Sequence, residues 1–253
     1  MKVLTDLDNL RVLLVAARNP LNIGAAARAM SNFGVRRLRV VNPYEVAFQE
    51  ARSAVGATAL LAKAEQFQNV AEAVADCTLV VGTTAAARRE LQHRLLRLEE
   101  GGRAIQRHLK TGSVALLFGS ERVGLSNEEM SHCHWMMRIP TREEHGSMNL
   151  GQAVAVCLYE LVRGRKSGTT LAKAASTQKE KASAKSGEIE RLTRILFEVL
   201  STSEFIQPRA VAAEEKLRRL IRRMKLSAND AEVLLGMLRQ IHWKLRADEK
   251  GDE

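Results

Sequence analysis

Leu10-Arg-Val-Leu-Leu-Val-Ala16, the segment Asn22–Asn32 behind it, and Leu38-Arg-Val-Val41 beyond decide the fold. The first run is short and almost continuously apolar, as a strand covered on both faces should be. The second has helical spacing, and Gly34 follows where a C-terminal cap belongs. The third reads as the next strand, stopped by Asn42-Pro43. Outward from this unit the alternation continues. Val70–Ala75 is helix-like, Cys77–Val81 and Ser113–Phe118 read as strands, and Trp135–Ile139 reads as the last strand. Leu150–Val162 then forms a helix with Ala153, Val154, Cys157, Leu158 and Leu161 on its apolar side. Strands alternating with helices predict an α/β domain over residues 1–164, a parallel sheet with helices on both faces.

Past that point the composition changes. Residues 165–187 are rich in Lys, Ser, Thr and Ala, too poor in apolar side chains to form a core, and predict a basic flexible linker. From Glu188 the pattern turns helical again, with Ile189, Leu192, Ile195, Leu196 and Val199 in register. Val211–Met224 and Ala228–Leu245 follow as two more helices, the last capped by Ser227 and Asp230. Residues 188–253 thus predict a small all-α extension.

The chain has 253 residues and a net charge of +10, which favours a polyanionic partner such as nucleic acid. A run of ~18 apolar residues is absent, so no membrane span is expected. The N-terminus carries acids where a signal peptide would be apolar. Cys77, Cys133 and Cys157 lie far apart, as reduced buried thiols of a cytoplasmic protein would.

Three polar, glycine-bearing segments sit at the ends of these elements, where α/β proteins bind ligands. They are Asn22-Ile-Gly-Ala-Ala-Ala-Arg28, Leu117-Phe-Gly-Ser-Glu-Arg-Val-Gly-Leu125 and Gly146-Ser-Met-Asn-Leu-Gly-Gln152. Neither a G-x-G-x-x-G nor a G-x-x-x-x-G-K-[S/T] loop occurs, so dinucleotide and phosphate-loop chemistry find no support. In the first segment the helix start offers free N–H groups to an anionic group. Asn22 and Arg28, six apart, lie on different faces of that helix. In isolation they would read as a cap and a solvated arginine. In the second, Gly119 lets backbone approach a ligand closely, and Glu121 brings a carboxylate to the same strand end. In the third, Ser147 and Asn149 could cap the helix that follows.

In order and wording these segments resemble the SPOUT class of RNA ribose methyltransferases, and most closely the bacterial tRNA (cytidine/uridine-32) 2′-O-methyltransferases. The resemblance covers nearly the whole chain, tail included. It implies a deep trefoil knot at the C-terminal side of the α/β domain and S-adenosyl-L-methionine as methyl donor, with no metal. It places the donor among Thr83, Thr84 and Ala85, Gly119, and the stretch containing Ile139, Gly146, Ser147 and Met148. It assigns Arg28 to activation of the ribose 2′-hydroxyl, with Asn22, Glu121, Ser147 and Asn149 beside it. It also implies a homodimer that builds each site at its interface. A ribose hydroxyl is a poor nucleophile until its proton is removed or its oxyanion stabilised. A guanidinium is a poor base in water, so Arg28 fits an electrostatic role better.

His132-Cys133-His134, with His145 nearby, lacks the ligand spacing of a zinc site and reads as one strand with side chains on opposite faces. Lys216, Arg218, Arg219, Arg222, Arg223 and Lys225 make a basic helix face, read as an RNA-phosphate contact. The reading that follows is 2′-O-methylation of tRNA. The competitors are a ribosomal RNA methyltransferase, a non-catalytic RNA-binding protein of the same fold, and another kind of nucleotide-binding α/β protein.

Overall fold

A computed structural model describes residues 5–53, 58–85, 91–142, 146–163, 182–206 and 211–249. Its centre is a 7-stranded parallel sheet: β1 (Leu10–Val15), β2 (Arg37–Val41), β3 (Glu65–Phe67), β4 (Leu79–Thr83), β5 (Leu95–Arg97), β6 (Val114–Phe118) and β7 (Trp135–Arg138). The strand order is β3-β2-β1-β6-β4-β7-β5, with every pairing parallel. The helices are α1 (Pro20–Asn32), α2 (Glu45–Ser53), α3 (Thr58–Ala62), α4 (Val70–Ala73), α5 (Leu98–His108), α6 (Asn127–Ser131), α7 (Leu150–Arg163), α8 (Ser186–Thr202), α9 (Val211–Arg223) and α10 (Ala228–Glu249).

The central strands alternate between two cores, as their period of two requires. Leu10, Val12 and Leu14 of β1 join Val114, Leu116 and Phe118 of β6 against α1, α2, α3, α5 and α7. Leu13 and Val15 join Ala115 and Leu117 on the other face, against α4 and α6. The sheet is therefore covered on both sides, which is why β6 reads as an unbroken apolar run and β1 as one broken only at Arg11. β4 is displaced two residues from the expected Cys77–Val81, because Cys77 and Thr78 serve as its entry: Thr78 N–H donates to the Ser113 carbonyl at 3.0 Å. Gly34 ends α1 as expected, at φ 73°. Its N–H reaches the Ser31 carbonyl at 3.1 Å while Val35 N–H reaches Met30 at 2.9 Å, the paired bonds of a Schellman cap.

Three features lock this frame. At the N-terminal end of the sheet Asp76 is shared by Arg11 of β1 and Arg39 of β2, both buried. Although burial opposes its charge, the Arg39 and Arg11 guanidiniums hold the Asp76 carboxyl far below the usual carboxylate range. On the opposite side α1 crosses α7 at Gly151, where a Cβ would lie 2.6 Å from Ala25 Cβ and 3.3 Å from the Ala26 nitrogen. The third is the docking of the tail. Ser186 N–H donates to the Cys77 carbonyl at 2.8 Å and Gly187 N–H to Ala75 at 3.0 Å, so α8 begins at Ser186 and not at Glu188. Of the expected linker, residues 165–181 lie outside the described residues, while Ser183 already bridges to Ser227.

The tail forces a correction to the basic face expected on α9. Arg218 and Arg222 point inward, at 5% and 3% exposure. Arg218 holds Glu190 of α8 through two nitrogens, Glu214 at 2.7 Å, and Ser131 Oγ of α6 at 2.9 Å. Arg222 donates to Ser186 Oγ at 3.3 Å; burial pulls its pKa down to about 10, leaving it a cation at neutral pH. Arg219 is paired with Glu215 at 3.5 Å. Of the six expected residues Lys216, Arg223 and Lys225 remain exposed. Charges on a helix read as solvated from sequence, but here Glu214 and Glu215 of α9 itself and Glu190 of α8 receive them.

Replacing Gly151 by Ala should destabilise the protein by about 1–3 kcal/mol, since the two helices must part to admit the methyl. Urea unfolding against the parent protein measures it. Arg218→Met should cost on the order of 3 kcal/mol by stranding Glu190 and Glu214. The same variant should raise amide exchange through α8 and α9 before it affects β1 or β6; unchanged exchange would mean the ion cluster does not hold the tail.

Candidate active site

The three glycine-bearing segments meet at the C-terminal ends of β1, β6 and β4, which are neighbours in the sheet. After β1, Ala16 takes φ 50° and donates to the Val41 carbonyl at 2.9 Å, turning the chain toward α1. Asn19 caps α1 by accepting from Leu21 N–H at 2.9 Å, and Pro20 occupies the first turn, where a missing N–H is harmless. After β6, Gly119 packs so tightly that a Cβ would sit 2.1 Å from the Gly124 carbonyl carbon. Gly124, at φ 70°, donates back to the Ser120 carbonyl at 2.9 Å and closes that loop.

Glu121 ties these loops together. Its carboxylate accepts from the backbone N–H groups of Arg18 at 3.1 Å and Asn19 at 3.2 Å, and from Asn22 Nδ2 at 3.1 Å. Burial pushes its pKa up, but bonds from its own N–H, Asn22, Arg18 and Asn19 outweigh that and hold it below the ordinary carboxylate value. Glu121 is thus an ionised acceptor at neutral pH, with its oxygens occupied, and is poorly suited to take a proton from substrate. The third segment joins through Asn149. Its Oδ1 accepts from Gly151 N–H at 3.0 Å and Gln152 N–H at 3.3 Å, capping α7. Because that oxygen is fixed, its Nδ2 must be the group that donates to Asn22 Oδ1, at 2.8 Å. Asn22 then has only its own Nδ2 to offer Glu121. One chain of polar contacts, Asn149 to Asn22 to Glu121, sets the orientation of both amides.

These loops enclose a cavity of about 620 Å³. Every residue expected at the donor lines it: Thr83, Thr84, Ala85, Gly119, Ile139, Gly146, Ser147 and Met148. So do Asn22, Glu121, Ser147 and Asn149 of the expected catalytic group. Thr83 Oγ1 donates to the Leu117 carbonyl at 2.9 Å and Thr84 N–H to Met137 at 3.0 Å, joining the ends of β4, β6 and β7. Thr141 Oγ1 donates to the Gly146 carbonyl at 3.1 Å, across residues 143–145, which lie outside the described residues and include His145. Leu125, Met130 and Met137 also line the cavity and were not expected there. Leu125 stands inside the second motif and could have been included; Met137 is a strand residue whose inward face only the sheet reveals.

Arg28 is the exception. It projects from the exposed side of α1 and does not line the cavity built by its own chain. The His132–His134 run also differs from expectation, because it connects α6 to β7 instead of forming a strand. His132 Nε2 meets Glu128 at 2.9 Å. His134 Nδ1 accepts from Val80 N–H at 3.0 Å, and burial lowers its pKa to about 3, so it is neutral. Cys133 is buried in the core beneath α4 and α6.

Comparison with known proteins agrees with this geometry. Residues 9–159 match the SpoU rRNA Methylase family. The chain is 36% identical over 248 residues to the tRNA (cytidine/uridine-2′-O-)-methyltransferase TrmJ of Yersinia pestis (strain Pestoides F), covering 97% of this chain and 96% of that one. The crystal structure of TrmJ from Z. mobilis ZM4 superposes with a TM-score of 0.77 at 30% identity, covering 91% of this chain and 98% of that one. The SpoU methyltransferase AviRb from Streptomyces viridochromogenes, in complex with the cofactor AdoMet, gives a TM-score of 0.50 at 25% identity, over 64% of this chain and 60% of that one. This chain belongs to the SpoU rRNA methylase family and is an RNA methyltransferase.

Proposed function

We propose that this protein transfers a methyl group from S-adenosyl-L-methionine to a ribose 2′-hydroxyl of tRNA, at the cytidine or uridine of position 32 in the anticodon loop. The observation that carries the proposal is the single cavity in which all the expected donor residues meet Asn22, Glu121, Ser147 and Asn149. Its volume suits a small-molecule site, and its lining suits an adenosyl group: apolar Ile139, Leu125 and Met137 beside backbone-rich turns at Gly119 and Gly146. Bound there, the sulfonium donor supplies an activated methyl group. The tRNA preference rests on the full-length likeness to TrmJ, tail included. Cytoplasmic residence accompanies that substrate.

The contacts of the residues support a division of labour among them. Glu121 holds the loop between β1 and α1; Asn22 and Asn149 are aimed by it and line the ribose side. Arg28 supplies positive charge that grips the substrate phosphate and favours the 2′-alkoxide. Since Arg28 projects outward from its own chain, it serves the site of a second copy. We take the homodimer to form on the paired surface of α1 and α7, where Leu21 is 78% and Tyr159 54% exposed. A trefoil knot at the C-terminal side of the α/β domain belongs to the same proposal, as does a tail (188–253) acting as the tRNA-binding unit.

Transfer of labelled methyl from S-adenosyl-L-methionine to bulk tRNA, compared with ribosomal RNA, tests the substrate. Label confined to ribosomal RNA would replace it, and label in neither would end the proposal. Arg28→Ala should lower turnover by about 10³-fold, the scale of one lost charge-stabilising group, while calorimetry finds donor affinity nearly unchanged. Equal loss of donor affinity would move Arg28 into the donor pocket.

Mixing Arg28→Ala with Gly119→Trp should restore part of the activity that each lacks alone. One of the two sites in a mixed dimer then combines an intact arginine with an intact donor loop. A fully active monomer by light scattering would exclude the shared site.

A further inference from the structure

The burial of Arg218 and Arg222 removes much of the charge expected to face RNA on α9, whereas α10 keeps an exposed outer face. Its inner side, Ala231, Leu234, Leu235, Leu238 and His242, turns toward α8 or is at least partly covered. Its outer side carries Gly236, Arg239, Gln240, Trp243 and Arg246, each exposed. The spacing 236, 239/240, 243 and 246 is that of one helical face. Trp243 is 64% exposed, although an indole is among the costliest groups to leave in water. Arg239 lies one turn before it and Arg246 one turn after. Gly236 is anomalous in its own way. A Cβ there would meet nothing within 4 Å, so packing inside the chain does not require glycine, and alanine would make a better helix. A glycine without an internal reason, two turns from an exposed tryptophan on the same face, marks a surface that another molecule approaches closely.

The chemistry of the face selects the partner. Two guanidiniums flanking an indole pair with phosphates while the ring offers a stacking platform, and aromatic rings stack on bases of any identity. Duplex bases are inaccessible to a ring on a helix surface, whereas loop bases are splayed and free. Glu232, the acid on the same side, stands a turn before Gly236, away from the ring. Met237 and Ile241, also exposed, lie on the flank of α10 turned away from Arg239 and Arg246. We propose that the outer face of α10 is a single-strand RNA contact, in which Trp243 stacks on an unpaired base and Arg239 and Arg246 take the neighbouring phosphates. This rests on the RNA substrate proposed above but not on methyl transfer itself.

The chain contains 2 tryptophans, so the full-length Trp135→Phe protein reports Trp243 alone. Its fluorescence should be quenched on titration with an anticodon-type stem-loop and far less by a fully paired duplex of equal length. Trp243→Ala should weaken stem-loop binding about tenfold or more, the loss expected for one stacked base. It should leave duplex binding and donor binding unchanged, and Trp243→Phe should recover most of the affinity. Unaltered stem-loop affinity in Trp243→Ala, or equal quenching by duplex, would overturn the contact. Concentration-dependent quenching without RNA would overturn it too, by assigning the face to a second copy of the chain. Methyl transfer is measured separately: a protein that shows the Trp243 effect but methylates no RNA loses the catalytic proposal alone.

Discussion

The carboxylate of Glu121 is the constraint on which the site depends. In a parallel sheet the loops that leave adjacent strands begin side by side but have no backbone ladder to align them. β1 and β6 are paired as far as Leu14 and Phe118, and beyond that the two chains separate. Glu121 restores the registration with three donors, two from backbone and one from Asn22. Charge matters here, because an ionised acceptor binds N–H groups roughly twice as strongly as a neutral one. Substituting a neutral amide would also turn an N–H group toward donors. Everything downstream follows: Asn22 can face Asn149 only because Glu121 fixes its other end, and α7 can begin at Leu150 only because the oxygen of Asn149 is free to cap it.

The two ends of the sheet are built differently, and the difference is functional. At the N-terminal end Asp76 is closed between Arg11 and Arg39, which are 7% and 6% exposed. Such a carboxylate, held below its unfolded pKa, contributes stability that is present above about pH 4 and lost as pH falls toward its folded pKa. Because the carboxylate is itself 42% exposed, solvent screening keeps that contribution modest. At the C-terminal end the polar groups are strung along loops and leave room between them. Rigid closure on one side lets the other remain open without loosening the strands that carry it.

Much of this could be read from sequence because the relevant physics is local. Buried strands announce themselves by apolar runs, as Ser113–Phe118 did for β6, and Gly34 announced the end of α1. The three site segments were legible because small and polar residues at strand ends are hard to explain by packing. What escaped was cooperative. β3 (Glu65-Gln66-Phe67) and β5 (Leu95-Leu96-Arg97) are 3 residues each, too short to show a period, so only their neighbours define them as strands. α5, with Glu99, Glu100, Arg103 and Arg107 on its outer side, lacks a preceding turn signal and follows β5 without a break. Arg11 and Arg39 interrupt otherwise apolar strands, and nothing nearby in sequence shows that Asp76 waits between them.

The tail illustrates the sharper limit. Arg218 and Arg222, one turn apart, have the same local pattern as a phosphate-binding face, and only Glu190 on another helix shows that they face inward. The sign of a charge is visible in sequence; the direction it points is not. Arg28 poses the inverse case. Its helix delivers Asn22 to the cavity and, six residues later, must aim Arg28 elsewhere, since a single α-helix cannot direct both positions to one point. A site that requires both groups is therefore incomplete in one chain. The close crossing of α1 over α7 at Gly151, where a Cβ would lie 2.6 Å from Ala25 Cβ, fixes the rotation of α1 and with it the direction in which Arg28 leaves the helix.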